Sequence, residues 1–264
     1  MISPDRDKSV TRPCVSIITV CFNAEEFLEE TIRSVAAQDY EGIEFIIVDG
    51  VSTDATLDII RRNEAAIARW ISEPDEGIAD AFNKGFALST GDYIMCLNAD
   101  DRLHGPEAIR ELVGYAVANG LPEAVYGDCH VLDRDSGAFR YLASIDYEPA
   151  AFLKGRIIPH PSLLLHRSYF ETYGTFDTSY RIAMDYELFL RGMLQVRVYH
   201  ATCLVTDVRD GGVSTKHRAL TVDEIIRALV KNGHVRPGFG EKRLRLMYAV
   251  RGLVRRVLDA LHGR

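Results

Sequence analysis

Two apolar, strand-like segments of this chain each run directly into a loop of acidic and polar residues. Phe45–Val48 is followed by Asp49–Asp54, and Tyr93–Leu97 is followed by Asn98–Asp101. Side chains at the carboxyl ends of the strands of an open α/β sheet face a ligand and not the core. Several oxygen ligands on one loop suit a hard cation such as Mg²⁺ or Mn²⁺, which commonly binds nucleotide phosphates. The residues alone therefore predict a metal-assisted enzyme that acts on a nucleotide-linked substrate.

The segments that would position these loops alternate between strand and helix over the first hundred residues. Short β-branched runs predict strands, and apolar residues at helical spacing predict the helices between them. The predicted strands are 15–20, 43–48, 68–71 and 92–97, and the predicted helices are 25–37, a segment after Asp54, and 77–88. This alternation implies a mostly parallel sheet.

The pattern changes after about residue 120. The runs 124–126 and 130–132 flank Gly127 and Asp128, and 137–142 is predicted to pair back as a hairpin. Further along, the sequence predicts a strand at 162–165, a helix at 185–193, a strand at 197–208 that is interrupted near Ala201, and helix from 221 onward with a break at Pro237 and Gly238.

Composition excludes several classes of protein. The net charge of −7 argues against general nucleic-acid binding. The five cysteines are Cys14, Cys21, Cys96, Cys129 and Cys203. Their odd number, wide spacing and lack of a CxxC pair indicate a reducing, cytosolic compartment. Cys14, Cys21 and Cys96 lie in or beside apolar strands and are predicted core residues. Residues 1–12 form a polar leader without a signal-like apolar run, and no stretch is long enough to cross a membrane.

The charge is unevenly distributed along the chain. Residues 241–264 hold seven basic and two acidic residues, a net charge of +5, so that residues 1–240 carry −12. Apolar residues recur at helical spacing among these arginines. Two interpretations stay open: a basic amphipathic helix on an anionic membrane surface, and a terminal helix docked on the acidic body.

Three rival functions make different demands on the sequence. A nicotinamide dehydrogenase needs Gly-x-Gly-x-x-Gly after the first strand, and a nucleotidyltransferase needs a glycine-rich basic loop there. The segment Cys21–Glu26 has neither feature. A noncatalytic nucleotide-sugar binding protein, or a scaffold of an assembly complex, stays open as the alternative to an enzyme.

Several blocks of the sequence resemble the family 2 glycosyltransferases, which have the GT-A fold. In family order these blocks are VSIITVCFN at 15–23, VDGVSTDAT at 48–56, EPDEGIADAFNKG at 73–85, TGDYI at 90–94 and LNADD at 97–101. The second half matches more loosely, through HPS at 160–162 and MDYEL at 184–188. Beyond about residue 215 we see no resemblance.

The resemblance implies an α/β protein with a Rossmann-like mixed sheet flanked by helices and a C-terminal helical tail. It divides the chain into a polar leader (1–12), a GT-A domain (13–215) and a helical extension (216–264). Within the domain, a nucleotide-sugar half (13–105) joins an acceptor half (106–215).

The resemblance also assigns roles to residues of the donor half. Thr19 and Asn23 should lie near the base and ribose of the nucleotide, and Asp49 should hold the uracil or the ribose. The donor site should also be lined by three residues of one helix face, with the lysine near the phosphates: Asp80, Asn83 and Lys84.

The loop after the fourth strand matches the metal-binding Asp-X-Asp motif of the family. Asp100 fills its last acidic position and should bind Mn²⁺ or Mg²⁺, with Ala99 beside the donor. Asn98 replaces the first acidic residue, but its carbonyl oxygen can still serve as a ligand. Asp101 either compensates for the lost charge or caps the next segment. Val51 and Ala55 replace glycines of the family pattern, which we expect to change only the shape of that loop.

Asp185 matches the acidic position that supplies the catalytic base in family members. Its alternative role is that of a helix N-cap, and Glu187 is the rival base. His160, which precedes a proline, either borders the acceptor site or is a structural histidine at the start of a strand.

Together these residues imply transfer of a sugar, with inversion, from a nucleotide diphosphate sugar to an acceptor hydroxyl. The predicted donor is a UDP-sugar, and the predicted acceptor is a lipid-linked saccharide used in the assembly of surface polysaccharides. The protein is expected in the cytoplasm, associated peripherally with the inner face of the membrane through residues 241–264.

Overall fold

A computed structural model describes residues 12–249 of the chain. Its strands are β1 (Val15–Cys21), β2 (Ile43–Asp49), β3 (Arg69–Ser72), β4 (Tyr93–Cys96), β5 (Arg102–Leu103), β6 (Ala124–Leu132), β7 (Phe139–Ala143), β8 (Leu163–His166) and β9 (Val198–Arg209). Its helices are α1 (Leu28–Ala36), α2 (Thr56–Arg62), α3 (Ile78–Leu88), α4 (Ala108–Ala118), α5 (Pro149–Phe152), α6 (Arg167–Tyr173), α7 (Met184–Gly192), α8 (Val213–Lys216) and α9 (Arg218–Lys231). Residues 239–249 are also helical.

The strands form one mixed sheet in the order β3-β2-β1-β4-β8-β6-β9-β5, with β7 paired to β6. The pairs β1–β2, β1–β4 and β2–β3 are all parallel, as the alternation of strand and helix predicts. The hairpin of β6 and β7 is also confirmed. β8 runs antiparallel to both β4 and β6, and it therefore joins the strands of the first hundred residues to those that follow.

Successive side chains of a strand point to opposite faces, so the sheet separates two hydrophobic cores. The first core contains Ile18 and packs beneath α3, α6, α7 and α9, whereas the second core contains Ile17 and packs beneath α1, α2 and α4. Helices thus cover both faces, and the carboxyl edge of the parallel strands stays available for loops.

Two strand boundaries differ from the prediction. The runs 124–126 and 130–132 belong to the single strand β6, whose register against β9 shifts on both sides of Asp128. β9 is also continuous through Ala201, because that residue is buried in the second core and its small side chain fits the packing.

Two helix boundaries differ as well. α1 begins three residues later than predicted, because the preceding loop bonds to the next loop instead: the N–H of Ala24 donates to Thr56 Oγ1 (2.7 Å) and that of Glu25 to Asp54 (3.1 Å). α9 ends at Lys231, well before the predicted break at Pro237.

The described part of the C-terminal tail docks on the body of the protein. Leu244 and Tyr248 pack against the first core, and the Tyr248 hydroxyl donates to the carbonyl of Lys154 (2.9 Å). The predicted leader up to residue 11 and the arginine-rich segment 250–264 lie outside the described residues. Between residues 12 and 249, no helix combines the length and apolar character that a bilayer crossing requires.

Candidate active site

The loops that follow β2 and β4 emerge from the same edge of the sheet. Asp49 ends β2, and Asn98 follows β4 by two residues. Only β1 lies between these strands. Adjacent strands are about 4.8 Å apart, so the two loops start about 10 Å from each other.

Asp49 is fully buried at the end of β2 and organises the loop that follows it. One carboxylate oxygen accepts the hydroxyl of Ser52 (2.5 Å), and the other accepts the Ser52 N–H (3.0 Å) and the hydroxyl of Ser72 (2.6 Å). Cys21 lies opposite Asp49 in the neighbouring strand, and burial together with the Asp49 charge raises the pKa of the Cys21 thiol. The carboxylate therefore ties the end of β2 to that of β3.

The loop after β1 interlocks with the loop after β2. The N–H of Asn23 donates to Ser52 Oγ (2.8 Å), and Asn23 Oδ1 accepts the N–H of Thr53 (2.9 Å). Asn23 and Val51 both adopt left-handed backbone conformations, with φ of 50° and 63°. Thr19 lies deeper, with no exposed surface, and its hydroxyl has no hydrogen-bond partner among residues 12–249. Its side chain is therefore not part of the cleft surface.

Two of the three donor-site residues expected on α3 form an ion-pair group. Asp80 accepts the N–H of Glu76 (3.1 Å), near the start of the helix, and contacts Lys84 Nζ at 3.3 Å. Lys84 also contacts Glu73 (3.0 Å) and the carbonyl of Pro74 (2.6 Å). Although burial alone lowers it, the hydrogen bonds with Glu73 and Asp80 raise the pKa of Lys84, so the ammonium is charged and held in place.

Asn83, the third residue on α3, has a different role. Its side-chain amide donates to the carbonyl of Phe176 and accepts the Phe176 N–H, both at 2.9 Å. It thereby fixes the segment that leads towards α7 against α3.

The predicted metal-binding loop is shaped by a buried carboxylate. Asp101 is 1% exposed and accepts the side-chain N–H of Asn98 (2.7 Å) and the backbone N–H of Arg209 (2.9 Å). Burial and the neighbouring Asp100 raise the pKa of Asp101 to about 7. The carbonyl of Ala99 accepts the hydroxyl of Thr31 (2.9 Å), which fixes the middle of the loop against α1.

Asp100 projects from this loop into a partly exposed position. Its carboxylate accepts a hydrogen bond from Arg134 (2.6 Å), whose guanidinium also lies over the ring of Phe27, 5.0 Å from the centroid. Asp100 thus faces a positive charge. The carboxylate of Asp100 and the amide oxygen of Asn98 are donors that fit a hard divalent cation.

His160 connects the metal-binding loop to the predicted catalytic base. Its Nε2 lies 3.2 Å from Asn98 Oδ1, and its Nδ1 lies 3.4 Å from an oxygen of Asp185. His160 stands in a 3₁₀ turn directly before β8, the strand that pairs with β4. The fold therefore brings together residues that are 87 positions apart in the chain, Asn98 and Asp185.

Asp185 is the second residue of α7, and Ala183 is the N-cap, so the interpretation of Asp185 as an N-cap is wrong. The Asp185 side chain is 16% exposed and borders a cavity of about 20 Å³, large enough for one water molecule. Glu187 is fully buried and pairs with Arg191 and with Lys231 (2.8 Å), so it does not reach this cavity.

The turn before Asp185 is held by a residue that no motif pointed to. Glu224 of α9 is nearly buried and accepts the backbone N–H groups of Arg181 (2.8 Å), Ile182 (2.9 Å) and Ala183 (2.9 Å). Glu224 lies about 40 positions from its partners, and no sequence spacing links them. No motif in the sequence pointed to Arg134 or Arg209 either. The predicted strand 197–208 ended one residue before Arg209.

A family model described as glycosyl transferase family 2 matches residues 16–172, more than half of the chain. The chain belongs to this family. An uncharacterized glycosyltransferase of Mycobacterium tuberculosis is 32% identical over 238 residues, which cover 89% of this chain and 90% of the relative. A PGL/p-HBAD biosynthesis glycosyltransferase of the same species is 30% identical over 182 residues, or 68% of this chain and 69% of the relative.

Solved structures share the fold of this glycosyltransferase. S. aureus TarS in complex with UDP-GlcNAc gives a TM-score of 0.66 at 14% identity, covering 82% of this chain and 66% of that chain. The mannosyltransferase PcManGT from Pyrobaculum calidifontis, in complex with GDP-Man and Mn²⁺, gives a TM-score of 0.64 at 21% identity, covering 84% of this chain and 64% of that chain. The chain thus spans just under two thirds of these structures. The expected GT-A fold is confirmed.

Proposed function

We propose that this family 2 glycosyltransferase transfers a sugar, with inversion, from a nucleotide diphosphate sugar to an acceptor hydroxyl. Asp185 is the general base, and Asp100 with Asn98 holds a divalent cation, Mn²⁺ or Mg²⁺. The observation that carries this proposal is the position of His160, which contacts both Asn98 and Asp185. A base and a leaving-group site must lie on either side of the reacting carbon, and the two contacts of His160 support such an arrangement of Asp185 and the Asn98–Asp101 loop.

Each residue has a task that follows from its surroundings. Asp185, in the first turn of α7, accepts the proton of the attacking hydroxyl, a contribution of about 10²–10⁴ in rate. His160 orients the Asp185 carboxylate from the side of the metal-binding loop. A cation held by Asp100 and Asn98 would neutralise the charge that grows on the departing diphosphate.

The donor half binds the nucleotide through the interlocked loops after β1 and β2. Asp49 shapes the pocket for the uracil or ribose, and Asn23 lines it, because both are bonded to the same loop at Ser52. Lys84 and Asp80 border the donor from α3, where the charged Lys84 ammonium can exchange a carboxylate partner for a phosphate. We propose UDP as the nucleotide, and binding of UDP compared with GDP tests this choice.

Replacement of Asp185 by asparagine tests the proposed base. We expect Asp185→Asn to lower transfer by at least about 10²-fold, because the amide cannot accept the proton. UDP-sugar binding with Mn²⁺, measured by calorimetry, should change little, since Asp185 lies on the acceptor side of His160. Full activity of the variant would refute the assignment.

Glu187→Gln is the matched control on the same helix. Glu187 forms buried ion pairs with Arg191 and Lys231, so this variant should melt at a lower temperature, whereas Asp185→Asn should not.

If the unmodified protein binds nucleotide sugars but neither transfers nor hydrolyses them, the alternative of a noncatalytic binding protein or scaffold is favoured, in line with the missing charge at Asn98.

We further propose that the acceptor is a lipid-linked saccharide and that residues 241–264 associate with an anionic membrane. The net charge of +5 in this segment, against −12 in the rest of the chain, supports the proposal.

A further inference from the structure

Two histidines and an aspartate converge near the β5 edge of the sheet. His104 follows β5, His130 belongs to β6, and Asp207 belongs to β9, the strand that lies between them. In the sheet register His130 and Arg102 are the direct neighbours of Asp207 on its two sides. The potential ligand atoms of His104, His130 and Asp207 all lie within 4.8 Å of one another.

The two imidazole rings point at one carboxylate oxygen. Asp207 Oδ1 lies 2.7 Å from His104 Nδ1 and 3.4 Å from His130 Nδ1. In a tetrahedral site with bonds of about 2.0–2.1 Å, neighbouring ligand atoms are about 3.4 Å apart. The His130–Asp207 pair already has this separation. His104 lies in a partly exposed bend after a two-residue strand, where its side chain has room to move from hydrogen-bond distance to the separation of two metal ligands.

The second carboxylate oxygen of Asp207 is held from behind. Arg102 Nε donates to Asp207 Oδ2 (2.9 Å), which fixes the orientation of a carboxylate that is only 4% exposed. The side chains of His104 and His130 are 36% and 27% exposed. A buried, oriented acid below two accessible imidazoles leaves the fourth coordination position open to water.

We propose that His104, His130 and Asp207 form a transition-metal site of the Zn²⁺ type. Two imidazoles and one carboxylate suit Zn²⁺, whereas Mg²⁺ and Mn²⁺ prefer the oxygen donors of the Asn98–Asp101 loop. His104, His130 and Asp207 all lie outside the Asn98–Asp101 loop, so the two proposed metal sites use different ligands.

A metal at the proposed site would stabilise the short strand β5. β5 begins at Arg102, directly after Asp101, so His104 lies three residues beyond the metal-binding loop. A metal that joins His104 to β6 and β9 fixes the short strand on which that loop ends. We therefore expect Zn²⁺ to stabilise the fold.

The test measures Zn²⁺ binding to the untagged, chelator-treated full chain by competition with a chromogenic chelator. We expect one Zn²⁺ per chain, at least about tenfold weaker binding in His104→Gln and in Asp207→Asn, and no change in His234→Gln, an exposed histidine outside the cluster. Zn²⁺ should raise the melting temperature of the unmodified protein but not of His104→Gln.

Asp100→Ala separates this site from the proposed catalytic one. It should retain the Zn²⁺ affinity of the unmodified protein while losing Mn²⁺-dependent UDP binding. Equal Zn²⁺ affinity in the unmodified protein and His104→Gln, or loss of Zn²⁺ binding only in Asp100→Ala, would overturn the proposal. So would the absence of Zn²⁺ binding, in which case Asp207 serves only as a partner for Arg102 and the two histidines.

Discussion

Backbone conformation distinguishes the two residues that replace glycines of the family pattern. Val51 has a φ of +63°, in the left-handed region where a β-branched residue is strained, whereas Ala55 has a φ of −76°, which any residue adopts. Nothing in the sequence distinguishes the two positions. A glycine at position 51 relieves strain in the loop that Asp49 organises, but a glycine at position 55 offers no such gain.

A pair of substitutions checks this difference. Val51→Gly should stabilise the protein by up to about 1 kcal/mol, because it removes left-handed strain of about 1–2 kcal/mol and adds a smaller entropy cost. Ala55→Gly should destabilise it by about 0.5–1 kcal/mol. Urea denaturation of both variants measures the two changes, and a Val51→Gly variant less stable than Ala55→Gly contradicts the assigned conformation.

If Asp100 holds a cation as proposed, Arg134 competes with that cation for the carboxylate. Its guanidinium bonds to the carboxylate, and Arg134→Met removes that charge while keeping much of the apolar stem beside Phe27. Because the ion pair is partly exposed, we expect a gain in Mn²⁺ affinity of only about two- to fivefold without nucleotide. Electron paramagnetic resonance of free Mn²⁺ measures this affinity.

Arg140→Met is the control for that measurement. Arg140 belongs to the same hairpin but pairs with Asp133 and Asp210, so its loss should leave Mn²⁺ affinity unchanged. Weaker Mn²⁺ binding in Arg134→Met would mean that Arg134 supports the cation instead of competing with it.

At the level of single residues, the sequence located Asp100 and Asp185 because each follows a recognisable motif. It could not locate Arg134 or Glu224, since their partners are distant in the chain and no short pattern encodes the contact. It also could not anticipate that Asn83 bonds to Phe176 or that Thr19 is buried, because helical spacing and strand position do not reveal what packs against them.

At the level of elements, α9 fixes the start of α7. Glu224 accepts the three backbone N–H groups that directly precede α7 and have no partner within that helix. Its negative charge therefore lies next to the positive end of the α7 dipole, which is a favourable arrangement. Asp185, the proposed base, is thus positioned by a helix that lies beyond the residues matched by the family model. Sequence periodicity located both helices but not this contact between them.

Removal of the Glu224 charge should therefore affect both stability and catalysis. Glu224→Gln weakens charge-assisted hydrogen bonds, and we expect a loss of about 1–3 kcal/mol in unfolding free energy. We also expect kcat to fall more than the donor KM rises, because Asp185 loses its position. Thermal unfolding and steady-state kinetics measure these effects.

Asp223→Asn is the neighbouring control on α9. Asp223 is exposed and pairs with Arg245, so its loss should change stability by no more than about 0.5 kcal/mol and leave kcat unchanged. An equal fall in kcat for both variants would remove Glu224 from any positioning role.

At the level of the whole molecule, the sequence predicted the parallel arrangement of the first strands but not the strand order of the sheet. Alternating strands and helices predicted the parallel strands β1 to β4, because each crossover helix has its own periodicity. The antiparallel insertion of β8 between β4 and β6 was not predicted, since a four-residue apolar run carries no information about its partners.

Charge separation across the whole molecule predicts a salt-sensitive membrane interaction. The full chain should cosediment with vesicles that contain an anionic phospholipid, but not with neutral vesicles. A triple variant, Arg251→Gln, Arg255→Gln and Arg256→Gln, should bind more weakly, since each basic residue near such a surface contributes about 1 kcal/mol. Unchanged binding by this variant, or equal binding to neutral vesicles, would contradict membrane recognition by the tail.

The bond between Asp101 and Arg209 sets an order of events during synthesis. Asp101 accepts the backbone N–H of a residue 108 positions later, at the end of the last strand. A ribosome releases the Asn98–Asp101 segment long before it makes Arg209, so the growing polypeptide cannot complete this loop while β9 is missing. Every truncated translation product that ends before residue 209 therefore lacks the hydrogen bond that shapes the Asn98–Asp101 loop.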